Sequence, residues 1–172
     1  MKCVSISGRA GHGKDTLALK LKDILEGKGK KVFIIHYADY LKMVATQVYG
    51  WNELKDNNGR TLLQHLGDKM REVDEMFLIN ELLKILSLVR DDFDVALIPD
   101  ARFPKEIDCL KSIGETTSIH ITRLNYESNL TETQNKHKTE ISLDDYIYDY
   151  NIFSNGNDNI SSIPLIIEDI LS

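Results

Sequence analysis

The chain has 172 residues, 42% of them apolar, which is enough for one sizeable core and short for two. Its formal net charge of −6 excludes the broad basic surface on which nonspecific nucleic-acid affinity depends, so a nucleotide-sized anion suits it better than a polymer. Two cysteines without a close Cys or His at metal-ligand spacing, no leader before the first apolar run, and no apolar stretch near the roughly 20 residues that span a bilayer point to a cytoplasmic protein with no membrane partner.

The first strand is read over Lys2–Ser7. Directly after it come Gly8-Arg9-Ala10-Gly11-His12-Gly13-Lys14-Asp15-Thr16, and then Leu17, Leu21, Ile24 and Leu25 at helical spacing. Strand, glycine-rich turn and helix in that order make a phosphate-binding loop. Its glycines let the backbone fold around an anion, its amides and the helix N-terminus point at the phosphates, and Lys14 adds a point charge. Where most such loops follow Gly-Lys with Ser or Thr, this one has Asp15 and delays the hydroxyl to Thr16, which puts a carboxylate beside the expected magnesium. His12, between loop glycines, points outward and needs no acid or base role.

Gly27 and Gly29 suit the end of the first helix, and Lys31–His36 reads as the second strand. The chain then leaves the sheet for about residues 38–90, in a helix from Leu41, Val44, Ala45 and Val48 that Gly50 stops, followed by helices over Arg60–Glu72 and Asp74–Val89. That excursion has the size of an acceptor-binding subdomain. Asp39 and Lys42 open it, and Arg60, Gln64 at i+4 and Arg71 at i+11 share one helix face. The face either grips a monophosphate and the edge of a base or is solvated, with Arg71 paired to Asp68 or Asp74.

The third strand, Asp94–Pro99, contains the wholly apolar Val95-Ala96-Leu97-Ile98 and is expected at the centre of the sheet. Asp100 stands at its carboxyl edge, where open parallel sheets bind ligands, either to hold magnesium through water and orient an acceptor or to cap a turn. Arg102 offers a fork for phosphate, or a salt bridge to Asp100 or Glu106. Pro104 starts a helix that ends near Gly114, and a fourth strand covers Thr117–Thr122. Arg123 follows it, set to stack on a base, to reach the transferring phosphate, or to remain solvated. Leu124–Asn135 is mostly polar and reads as a mobile surface lid, extending to about residue 142. A fifth strand over Tyr148–Ser154, a turn at Asn155-Gly156 and a helix over Ile160–Leu171 with an early Pro164 complete a single domain. Alternating strands and helices imply a parallel sheet with right-handed crossovers.

Several of these segments together resemble one family, the phage and bacterial deoxynucleoside monophosphate kinases. They are Gly13-Lys14-Asp15-Thr16, Tyr37-Ala38-Asp39 with Leu41-Lys42, Leu62-Leu63-Gln64 with Leu66-Gly67, Pro99-Asp100-Ala101-Arg102-Phe103-Pro104 with Glu106-Ile107, and His137-Lys138-Thr139-Glu140 with Leu143-Asp144-Asp145. The chain departs from the family at Phe77, where many relatives carry tryptophan, and at Lys138, where proline is common. The resemblance implies a P-loop NTPase fold, a three-layer α/β/α sandwich of about five parallel strands, and ATP- and Mg2+-dependent transfer to a deoxynucleoside 5′-monophosphate. Under it, Gly8, Ala10, Gly11, His12, Gly13, Lys14, Asp15, Thr16 and Arg123 serve ATP. Asp15 and Asp100 serve magnesium, and Asp39, Lys42, Arg60, Gln64, Arg71 and Arg102 serve the acceptor. Lys14, Asp100, Arg102 and Arg123 form the expected catalytic set. Animal-type phosphomevalonate kinase looks like a relative with the same Gly-Lys-Asp loop, and a non-catalytic nucleotide-binding regulator is a third reading. A homodimer is left open.

Overall fold

The computed structural model describes residues 1–156 and 161–172. Among the described residues, β1 (Lys2–Ser7), β2 (Val32–Ile34), β3 (Val95–Ala101), β4 (Thr116–Arg123) and β5 (Tyr150–Ser154) form one parallel sheet in the order β2-β3-β1-β4-β5. The helices are α1 (Lys14–Gly27), α2 (Ala38–Tyr49), α3 (Asn57–Val73), α4 (Phe77–Val89), α5 (Pro104–Ile113), α6 (Glu132–Asn135), α7 (Lys138–Ile141) and α8 (Ile163–Leu171).

Side chains alternate across a strand, and here both faces of the central strands are apolar. Val4, Ile6, Val95 and Leu97 join Leu17 and Leu21 of α1 and Ile166 and Ile170 of α8 in one core. Cys3, Ala96 and Ile98 join Leu82 and Leu86 of α4 and Ile107 and Leu110 of α5 in the other. The result is an α/β/α sandwich. Each fully buried Leu or Ile in it contributes about 1.5–3 kcal/mol relative to exposure.

Element boundaries differ from the sequence reading for identifiable reasons. A register shift between Ser5 and Ser7 lets Ser7 pair with Ala101, so β3 runs past Pro99 and takes Asp100 into the strand. As an edge strand, β2 pairs only over Val32–Ile34 and is shorter than Lys31–His36. Tyr148 packs its ring against His120 and Tyr146, so β5 starts at Tyr150. Helix α3 begins at Asn57, three residues ahead of Arg60, because the Asp56 carboxylate accepts the Gly59 amide at 2.8 Å as its N-cap. Asp74 similarly accepts the Met76 amide and delays α4 to Phe77. The reading of a last helix from Ile160 falls partly outside the described residues, and α8 begins at Ile163 with Pro164 in its first turn.

The polar stretch after β4 is less detached than its composition suggests. Gln134 is buried, and its amide donates to Asn57 O at 3.1 Å and Thr61 Oγ1 at 3.2 Å, which fastens α6 to α3. Polarity signals a surface only where no backbone or hydroxyl group is available as a partner. No helix among the described residues is long and apolar enough to cross a membrane.

Candidate active site

The loop between β1 and α1 is shaped by close backbone approaches. Gly8 has φ +146°, and a Cβ there would strike the Ile121 carbonyl of β4. Gly11 has φ +78°, and a Cβ there would strike the Tyr126 hydroxyl. Only glycine meets both demands without strain. The loop then delivers the chain into α1, whose first amides lack intrahelical partners and face any anion in the loop.

One loop amide already carries an oxyanion. Ala10 N–H donates to Glu140 Oε2 at 2.9 Å, so the loop geometry accepts a charged oxygen of the kind a phosphate offers. Lys14 lies across the loop and donates to Gly8 O at 2.8 Å and Arg9 O at 3.0 Å. Its side chain is 8% exposed, and burial, with Arg102 close by, pulls its pKa down to about 7 against the opposing pull of Glu140, Asp100 and Asp15. An added anion would restore the full charge of this amine.

Arg102 leaves the end of β3 and crosses to the loop. Its Nη1 donates to Glu140 Oε1 at 2.8 Å and Thr139 O at 3.2 Å, with Gly8 O at 3.5 Å. Asp15, at the start of α1, accepts from His36 Nε2 at 2.8 Å, and His36 Nδ1 lies 3.3 Å from Asp39. Burial works against charge on His36, but hydrogen bonds to Asp15 and Asp39 outweigh it and raise its pKa to about 9. The same bond from His36 lowers the pKa of Asp15.

A cavity of about 300 Å³, a volume at the small end of ligand pockets, opens between this loop and the helices of the excursion. Its polar walls include Lys14, Asp15, Lys42, Arg60, Gln64, Arg71, Asp100 and Arg102. Tyr37, Leu41, Leu63 and Leu78 supply an apolar wall. Arg60, Gln64 and Arg71 therefore do come to one face of α3 and turn it toward the cavity. Arg71 is anchored there by Glu106, at 3.4 Å from Oε1, and by the Phe103 ring 4.4 Å below its guanidinium carbon.

Three expected residues are placed differently. Asp100 uses one carboxylate oxygen for the Tyr37 amide and the other for the Ala38 amide, both at 2.9 Å, so it fastens the start of α2 to β3 rather than standing free for magnesium. Asp39 does not line the cavity, because His36 and Lys42 both hold its carboxylate. Arg123 also lies away from the cavity, on the outer flank of the loop. Its guanidinium stacks 4.8 Å from the Tyr126 ring centre, and its amide donates to His12 Nδ1 at 3.3 Å.

Sequence reasoning gave no role to His36, Lys55 or Glu140 and took Glu106 only as a salt-bridge partner for Arg102, yet all four line the cavity. His36 ends the predicted second strand at the carboxyl edge of the sheet, and Glu106 follows Arg102 by one helical turn. Those positions were the available signals.

For magnesium, no group of three or more His, Cys, Asp or Glu among the described residues could hold an ion. Mg2+ needs no such cage, since it takes one or two carboxylates and completes its shell with water and substrate phosphates. Asp15, with a side chain 68% exposed, and the exposed Thr16 fit that requirement at the mouth of the loop.

No family model and no curated protein matches the chain. Solved structures do. The APS kinase CysC of Mycobacterium tuberculosis in complex with AMPPNP and APS is 11% identical, with 99% of this chain and 95% of that one covered and a TM-score of 0.51. A sugar kinase from Janibacter sp. is 14% identical over 99% and 92%, at 0.47. Shikimate kinase from Aquifex aeolicus is 13% identical over 98% and 93%, at 0.44. The fold, a five-stranded parallel sheet between helices, is shared with that APS kinase structure. At such identities the likeness extends to fold alone.

Proposed function

We propose that the chain transfers a phosphoryl group from ATP to a deoxynucleoside 5′-monophosphate, giving the diphosphate and ADP. The observation that carries this reading is the single cavity that joins the phosphate loop to the cationic face of α3. One end is built for a polyphosphate, with loop amides and Lys14. The other offers Arg60, Gln64 and Arg71 beside Leu41, Leu63 and Leu78, which suits a phosphate, a hydrogen-bonding edge and a flat apolar ring.

Phosphoryl transfer asks mainly for positioning and for charge around the moving group, and needs little base catalysis because a phosphate acceptor is already ionised. Lys14 and the loop amides hold the donor phosphates. Arg102 reaches the loop from the acceptor side and bridges the two ends of the cavity. Asp15 and Thr16 would hold Mg2+, which would supply charge neutralisation to the donor phosphates. His36 orients Asp15, and Lys42 and Arg60 bind the acceptor phosphate. Arg123, stacked on Tyr126 beside the loop, borders the donor base. The 124–142 stretch acts as the lid, with α6 as its anchor on α3.

The test is incubation with ATP and Mg2+ and a panel of deoxy- and ribonucleoside monophosphates plus phosphomevalonate, read by product mass. A deoxynucleoside diphosphate is the expected product. Diphosphomevalonate, or ATP consumption with no acceptor product, would reject the proposal. Lys14→Ala should lower turnover at least about 100-fold while circular dichroism stays unchanged.

A further inference from the structure

The Glu140 side chain is only 6% exposed, yet it is an acid set against a loop whose amides and lysine suit an anion. Its two oxygens are divided between the two sides of the site. Oε2 takes the Ala10 amide of the phosphate loop at 2.9 Å, and Oε1 takes Arg102 Nη1 at 2.8 Å. A buried carboxylate is costly unless paired, and among the described residues this one is hydrogen-bonded to groups that a nucleotide phosphate would also claim.

The segment that carries it is fastened at several points. Within the stretch, His137 Nε2 donates to Asp68 of α3 at 2.9 Å, and its Nδ1 accepts the Thr139 amide at 3.3 Å. Lys138 Nζ lies 3.3 Å from the same Asp68, and Arg9 of the loop meets Asp144 at 2.8 Å. Residues 137–144 thus span from α3 to the loop. Their anchors at Asp68 and Asp144 are independent of the Glu140 carboxylate, so that carboxylate can leave the loop without undocking the segment.

We propose that Glu140 is an internal competitor for the phosphate loop: its carboxylate occupies the Ala10 amide and holds Arg102, and the phosphate of an incoming nucleotide displaces it and takes over both partners. This rests on the reading of Gly8–Thr16 as a phosphate loop. Two anions do not share one amide and one guanidinium in a partly buried site, because like charges at such separation repel strongly. Displacement then couples the two ends of the cavity: Arg102 becomes available to a transferring phosphoryl group when a phosphate, and not water, has entered the loop. Glu140 is on this view a positioning residue, acting through Arg102.

The experiment is calorimetric titration of the whole chain with inorganic pyrophosphate, without magnesium, for the wild type, Glu140→Gln, Glu140→Asp and Lys14→Ala. Glu140→Gln keeps the shape and removes the competing charge, so pyrophosphate should bind about tenfold more tightly. Glu140→Asp, one methylene shorter, cannot span both contacts and should also tighten binding, which keeps the test open if the glutamine variant does not fold. Unchanged or weaker binding in the folded variants would overturn the proposal, since a purely structural Glu140 gives no gain in anion affinity. Lys14→Ala should lose pyrophosphate. Retention there would overturn the phosphate-loop reading and the proposal with it, whereas loss there with unchanged binding in the Glu140 variants would overturn the proposal alone.

Discussion

Glu106 is 2% exposed and lies at the wall of the cavity, where its Oε2 accepts the amides of Arg102 and Phe103 at 2.6 and 3.2 Å. Burial pushes its pKa up to about 7, although those amides and Arg71 favour the carboxylate. A folded-state pKa above the unfolded value of 4.5 means that the native chain binds the extra proton between about pH 4.5 and 7. The stability this contributes is full below that window and lost as pH rises through it. Denaturant titrations at pH 5 and pH 7.5 should therefore show a loss on the order of 2 kcal/mol in the wild type that Glu106→Gln does not share. An identical pH response in both chains would contradict the assignment. At this scale the sequence disclosed what depends on local spacing: the loop glycines, Lys14 and the shared face of Arg60, Gln64 and Arg71. It did not disclose that Asp39 is held by His36, or that Glu140 meets Ala10, because a pairing across the fold leaves no periodic trace.

Helix α2 carries Leu41 and Lys42 into the cavity, and its position depends on one carboxylate at the end of β3. The amides of Tyr37 and Ala38 belong to the orphan donors of a helix start, and Asp100 satisfies both. Asp100→Ala should cost about 2 kcal/mol in chemical denaturation and raise the acceptor KM more than the nucleotide Kd. A shifted magnesium titration with normal stability would instead make Asp100 a metal ligand. Five parallel strands and the apolar run Val95–Ile98 were readable because a buried parallel strand has a distinctive composition, but β3 lies beside the middle strand β1 rather than at the centre, and the short helices α6 and α7 were not foreseen. Helix starts at Asn57 and Phe77 were not, since one follows from the side-chain cap at Asp56 and the other from a turn in which Asp74 accepts the Met76 amide, local bonds that compete with periodicity. The docking of α6 through Gln134 escaped notice for a related reason: a glutamine that satisfies another helix looks in sequence like a solvated one.

The cavity gathers Lys14, Lys42, Lys55, Arg60, Arg71 and Arg102 from elements spread over the whole fold, alongside Asp15, Asp100, Glu106 and Glu140, so ligand and fold are thermodynamically linked. A nucleotide at a hundred times its Kd should stabilise the native state by about 2.7 kcal/mol and raise Tm by roughly 5–10 °C. Lys14→Ala should abolish that rise; a full rise in that variant would place nucleotide binding elsewhere. The strand order carries a further consequence, for how the chain is made. Because β1 sits between β3 and β4, its loop takes shape against Ile121 only after a stretch roughly 110 residues downstream has been synthesised. At ordinary translation speeds that delay is on the order of ten seconds. A nascent chain therefore displays its glycine loop long before it can cradle an anion, and competence for nucleotide arrives late and all at once, with the docking of β4.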